Sequence, residues 1–226
     1  MNPPLPYWQI PRLASGLVVP DWAGVPSLPP LLLVDGSGPA LQPTVVRLAW
    51  DPETLHVRFD CADRDAWGTF TRRDDPLYEE EAVEVFLSPG AGDPARYFEF
   101  EVSPKGTLFD AVIENPDGDR ATMRTDPSWD CPGLRWEAGP GTGAQGAQAA
   151  QDWWATLAIP WRALLPEGTP ATEPLPHTWR ANFYRIERPR DGAPEFSAWS
   201  PTLTTPADFH KPLRFGLLAP REPRRT

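Results

Sequence analysis

From Tyr78 to Gly106 two alternating runs face each other across a short turn rich in Gly, Pro and Asp. In the first, Val83, Val85 and Leu87 alternate with Glu84 and Phe86; in the second, Phe98, Phe100 and Val102 alternate with Tyr97, Glu99 and Glu101. Successive side chains of a strand point to opposite faces, so a period of two predicts a hairpin with one apolar face. Tyr78 and three consecutive glutamates, Glu79, Glu80 and Glu81, lead into it. A rigid sheet presenting an aromatic ring and several acceptors suits a polar ligand better than it suits a catalytic loop.

The same pattern recurs along the chain. Leu55, Val57, Phe59 and Cys61 alternate with His56, Arg58 and Asp60, and residues 44–50 form the other arm across the Asp51-Pro52-Glu53-Thr54 turn. Further strands are predicted at 107–114, around 129–137, and at 152–159, 179–187, 195–200 and 215–219. Pro160 is well placed to open a single helical turn that reaches Leu165. Long helices are excluded by the 31 prolines, because each internal proline removes a hydrogen bond and clashes with the preceding turn. Short strands with proline-rich turns tolerate them.

Eight to eleven short strands with almost no helix predict an all-β fold, an antiparallel β-sandwich or jelly roll, immunoglobulin-like in general architecture. We read one domain over residues 44–220. Residues 1–43 wrap it and add one edge strand, and 221–226 form a basic, solvated tail. The Gly/Ala/Gln run at 139–151 reads as a flexible surface loop. Most of the 11 tryptophans belong in the core, since so large an apolar ring is costly to expose.

The net charge of −10 argues against nucleic acid, because a binding face for phosphates needs a basic excess. No apolar run approaches the roughly 20 residues needed to span a membrane. The N-terminus lacks the basic start and apolar core of a secretion signal, so the chain as written is expected in the cytoplasm, with secretion open if a leader precedes it. Cys61 and Cys131 have no metal or bridge spacing, and Cys61 falls on the apolar side of its strand as a buried thiol.

Four pieces in order carry a resemblance to a known family. They are Val46-Arg47-Leu48-Ala49-Trp50 with Leu55-His56-Val57-Arg58-Phe59; Tyr78 to Phe86; Phe100-Glu101-Val102-Ser103-Pro104 with Gly106; and Trp199-Ser200-Pro201 leading to Phe209-His210-Lys211-Pro212 and Arg214-Phe215-Gly216. Together they cover residues 44–218, and the set resembles carbohydrate-binding module family 9. The resemblance implies a β-sandwich that grips the end of a sugar chain between two aromatic rings. Those rings fall on Tyr78 and Phe209, where the family has tryptophan. A glutamate that accepts from sugar hydroxyls falls on Glu84. An arginine and an asparagine of the family fall on Glu101 and Ser103, so specificity does not carry over with the fold.

The residues also allow other chemistry. Trp67 stands among charges as a further platform, and His210 beside Phe209 offers a donor. The glutamates read most simply as a solvated acidic face, although a pair drawn from Glu81, Glu84 and Glu101 would suit glycoside hydrolysis. No cofactor is required, while calcium stays open through the oxygens of Asp63, Asp65, Asp74 and Asp75. A cofactor-binding sandwich of the DOMON kind is the remaining alternative; a haem there would need Met123 or one of the scattered histidines. The expected partner is a saccharide.

Overall fold

The computed structural model describes residues 3–13, 19–141 and 151–221. In chain order their strands are β1 (Tyr7–Ile10), β2 (Leu32–Leu33), β3 (Thr44–Trp50), β4 (Thr54–Cys61), β5 (Ala82–Pro89), β6 (Arg96–Val102), β7 (Leu108–Glu114), β8 (Arg124–Asp126), β9 (Arg135–Pro140), β10 (Trp153–Pro160), β11 (Trp179–Glu187), β12 (Glu195–Ala198) and β13 (Gly216–Pro220). The larger sheet follows β1-β13-β11-β5-β6-β7-β8, with β12 beside β11 and β2 beside β12; the smaller follows β3-β4-β10-β9. Every pairing is antiparallel except β1 with β13. The expected antiparallel sandwich is therefore the fold.

Helix among the described residues is confined to short 3-10 turns, one of which, Trp161–Leu164, begins directly after Pro160. Both hairpins read from the alternation form in register, with Leu48 opposite Val57 in one and Glu84 opposite Glu101 in the other. The strand count exceeds the expectation because β1, β2 and β8 are too short to show a period. Residues 1–43 supply two of these, β1 and β2. The expected strand around 129–137 is shifted: Trp129 packs on Phe98 from a loop, and β9 runs to Pro140. Most of the expected Gly/Ala/Gln loop and all but the first residue of the tail lie outside the described residues.

The alternation misleads in one respect. It predicts half-buried strands, yet β4 is buried along its whole length and β5 up to Pro89. Val83, Val85, Phe100 and Phe183 pack between the sheets with Phe59 and Trp153. Phe86, Tyr97, Tyr184, Phe209 and Phe215 form a second core on the other side of the larger sheet. Phe86 alone contacts Tyr97, Tyr184, His210 and Phe215, at centroid distances of 5.0–5.9 Å. Burying a side chain of this size is worth roughly 1.5–3 kcal/mol. On the smaller sheet the polar side of β4 closes on itself: Asp60 bridges Arg47 at 2.6 Å and Arg58 at 2.8 Å, and Trp154 lies under Arg58.

β13 enters this core through Gly216. A Cβ there would meet the Trp199 ring and come within 2.9 Å of the Pro6 carbonyl. Gly216→Ala is therefore expected to destabilise the fold by about 1–3 kcal/mol, read from the midpoint of denaturant unfolding. An unchanged midpoint would mean that β13 can move outward freely.

Candidate functional site

On the second-core side of the larger sheet lies a cleft of about 740 Å³. Glu84 of β5, Glu99 of β6, Phe109 of β7 and Ile186 of β11 line it from the sheet. Tyr78 enters from the 3-10 turn Leu77–Glu79, Arg120 and Met123 from the β7–β8 connection, and Phe209 and His210 from the β12–β13 connection. Long connections over one sheet face thus build a concave site on a rigid base, the usual place for a ligand.

Four of the residues singled out in the sequence meet here: Tyr78, Phe209, Glu84 and His210. Their roles differ. Tyr78 is 48% exposed and packs only edge-on against Phe109, at 6.2 Å. Phe209 is 7% exposed, lying flat on Tyr184 with centroids 4.2 Å apart, while the Tyr184 hydroxyl donates to the Phe209 carbonyl at 2.9 Å. Tyr78 is a displayed ring, and Phe209 is a fixed wall offering its rim. His210 is buried, which holds its imidazole down to about 3, and its Nδ1 lies 2.8 Å from the Tyr97 hydroxyl.

Three predicted residues do not line the cleft. Glu101 is fully buried, opposite Glu84 in the register. Ser103 is used by the β6–β7 turn, where its Oγ accepts from the backbone N–H of Lys105 and Thr107. Trp67 is tucked in rather than displayed: its Nε1 donates to the Arg188 carbonyl at 2.6 Å, and Arg190 covers its ring. Arg120, Phe109 and Arg188 line the cleft without any period or motif to announce them; Arg120 sits in an irregular connection, and Phe109 reads simply as a core position.

Of the acidic face expected in solvent only Glu79 is exposed; Glu80, Glu81, Glu84, Glu99 and Glu101 are buried. Glu84, Glu99 and Glu101 bring one oxygen each within 4.8 Å of one another. Burial raises all three carboxyls, Glu99 to about 7 and Glu84 and Glu101 well above the ordinary carboxylate range, with mutual repulsion adding to Glu84 and Glu101. Glu101 shares a carboxyl–carboxyl hydrogen bond with Glu99 and accepts from the Tyr78 backbone N–H. A second group, Asp63, Asp65, Glu81 and Glu187, gathers near Arg185. Burial and then Asp63 push Glu81 up to about 9, and burial raises Glu187 to about 7.

The oxygens considered for calcium divide accordingly. Asp63 and Asp65 join the second group, but Arg185 already supplies a cation there, bonded to Asp63 at 2.7 Å and to Glu187. Asp75 accepts from the backbone of Arg72, and Asp74 from that of Asp110. These four do not form one calcium cage. Met123 and His210 reach the cleft, yet both contact the Tyr97 hydroxyl, so this pair does not fit as axial ligands of a haem.

Comparisons with known proteins identify the family and the fold. A family model described as carbohydrate-binding family 9 matches residues 37–219. A protein of Arthroderma benhamiae named "Extracellular protein" is 29% identical over 174 residues, which is 74% of this chain and 73% of that one. Among solved structures, a candidate carbohydrate-binding protein from Bacteroides uniformis superposes with a TM-score of 0.74 at 19% identity, covering 96% of this chain and all of that one. A family 9 module from Caldicellulosiruptor kristjanssonii, in complex with glucose, gives a TM-score of 0.62 at 12% identity and covers 98% of each chain. At such identities the two structures establish the fold. No helix among the described residues is long and apolar enough to cross a membrane.

Two outcomes follow from the buried acids. Glu99 and Glu187, raised from 4.5 to about 7, and Glu81, raised to about 9, keep protons in the folded chain that the unfolded chain has lost. Their stabilisation is complete below 4.5 and disappears as pH rises through about 7 and then 9. His210 acts in the opposite sense, but only below its ordinary 6.5. The thermal midpoint should therefore fall between pH 6.5 and 9; a rise there contradicts the burial. Arg185→Met, which leaves its acids without a counter-charge, should cost about 3–5 kcal/mol in a denaturant titration.

Proposed function

Because the chain belongs to carbohydrate-binding family 9, we propose that it binds a saccharide without catalysis, in the cleft between Tyr78 and the Phe209 wall. The observation that carries this reading is the meeting of an exposed ring, a second fixed ring and carboxyl acceptors in one open cleft. A pyranose has a face of C–H groups and a rim of hydroxyls. Tyr78 can desolvate the face, while Glu84, Glu99 and Arg120 exchange hydrogen bonds with the rim. Only one ring is broadly exposed, so apolar burial at ~25 cal/mol per Å² supplies a few kcal/mol, partly spent on ordering the ligand. Micromolar to millimolar affinity is the natural scale.

Hydrolysis fits the same cleft less well. A glycosidase sets one protonated and one ionised carboxyl on either side of the scissile bond. Here Glu84 and Glu99 stand side by side on adjacent strands, and burial pushes both the same way. They address one side of a bound ring.

Glucose, bound by the Caldicellulosiruptor module, is the first ligand to test, together with its β-linked oligomers. Calorimetry should detect saturable binding by the parent, and Tyr78→Ala should weaken it roughly fivefold or more. Chromogenic glycosides should not turn over. Full binding by Tyr78→Ala, or turnover abolished by Glu84→Gln, defeats the proposal.

A further inference from the structure

The two buried acid groups differ in how their charge is met. Asp63 and Glu187 close on the Arg185 guanidinium, which also donates to the Ala62 carbonyl at 2.6 Å. Glu84, Glu99 and Glu101 have no such partner among the described residues. Arg120 faces them from the rim, but it is largely exposed and ion-paired with Asp208 at 3.2 Å. His210 approaches Glu99 to 3.9 Å and is held neutral by its burial.

Two independent facts point outward from this group. Glu84 and Glu99 line the cleft, so a ligand entering it meets them directly. Of these, Glu84 is only 2% exposed, and among the described residues its carboxyl is met by the like charge of Glu99 and by the rim cation Arg120 rather than by a hydrogen-bond donor. Behind it Glu101 is completely buried against Glu99 and the Tyr78 backbone N–H. A buried carboxyl left unmatched is costly, and proteins leave few of them unexplained. A counter-charge missing from the protein can come from the ligand.

Resting on the saccharide-binding reading above, we propose that this cleft selects sugars bearing a protonated amine, with the ammonium group seated on Glu84 and Glu99 above Glu101. An ammonium carries three donors and one positive charge, and three carboxyl groups converge within 4.8 Å. Tyr78 and Phe109 line the same cleft, Phe109 opposite Glu101 in the register, and aromatic rings there suit a cation. The net charge of −10 raises the local concentration of cationic ligands. Burial pushes these carboxyls toward the protonated form in the free protein; when the ammonium docks, any protons they hold leave to solvent and the ionised oxygens accept its N–H groups.

The test is calorimetry on the full chain with four monosaccharides: glucose, glucosamine, N-acetylglucosamine and glucuronate. Glucosamine should bind roughly tenfold or more tightly than glucose, the scale of charge-assisted hydrogen bonds. N-acetylglucosamine, which has lost the charge, should lose that gain. Repeating the glucosamine titration in buffers of different ionisation enthalpy should show net proton release. In Glu101→Gln and Glu84→Gln the glucosamine-to-glucose affinity ratio should fall to near one, and Glu101→Asp should keep part of it. If those variants fail to fold, the parent's ratio and proton release decide.

Equal affinity for glucose and glucosamine overturns the amine proposal and leaves saccharide binding intact. Tighter binding of glucuronate does the same, assigning recognition to Arg120 and Arg188. Calcium binding that excludes glucosamine would give the three carboxyls to a metal, also against the proposal. No heat from any of the four sugars sinks this inference together with the reading beneath it.

Discussion

The central strands of the larger sheet are shut away from water on both faces, and the character of the site follows from that enclosure. One face meets the smaller sheet across Phe59, Phe100, Trp153 and Phe183. The other lies beneath its own long connections, on Phe86, Tyr97, Tyr184 and Phe215. β11 and β5, adjacent in the middle of the sheet, are paired along eight residues each and have no solvated side. Polar residues that alternate with apolar ones on these strands cannot reach water in the ordinary way. They must pair, hold a proton or line a cavity.

The protein uses all three solutions. Arg185 and its neighbours Asp63 and Glu187 pair inside the structure, near the end of β11. Asn182 donates to the Ser200 carbonyl and accepts from Ser200 and Phe183. Glu84, Glu99 and Glu101, one register step away on β5 and β6, are pushed toward the protonated state and line or underlie the cleft. The contrast is physical rather than decorative: the same residue type is neutralised by a guanidinium at one place and left for a proton or a ligand at another.

Rigidity reaches the walls through a few specific contacts. Tyr184 holds Phe209 by stacking and by its hydroxyl. Trp67, half-buried, anchors the backbone at Arg188, whose side chain in turn donates to the Tyr78 carbonyl at 3.3 Å. A tryptophan that resembles a binding platform in the sequence therefore contributes from behind, by fixing the strand end that borders the displayed ring. Period-two alternation could find Glu84 and place it opposite Glu101, but it could not tell a solvated face from a covered one. What covers the sheet comes from residues 115–127 and 200–215, far along the chain.

Local chemistry was enough for the architecture. Alternating runs, turn residues and proline density leave an antiparallel sandwich as the consistent solution, and the ordered motifs point to the family because each reports its own strand or turn. The convergence of Tyr78, Phe209 and Glu84 was readable only through that resemblance, and His210 through its place beside Phe209. Burial of the acids, the immobilised Phe209 and the withdrawal of Trp67 and Ser103 arose from tertiary packing. Such properties depend on which distant segments lie on a sheet face, and no neighbouring residue in the chain carries that information.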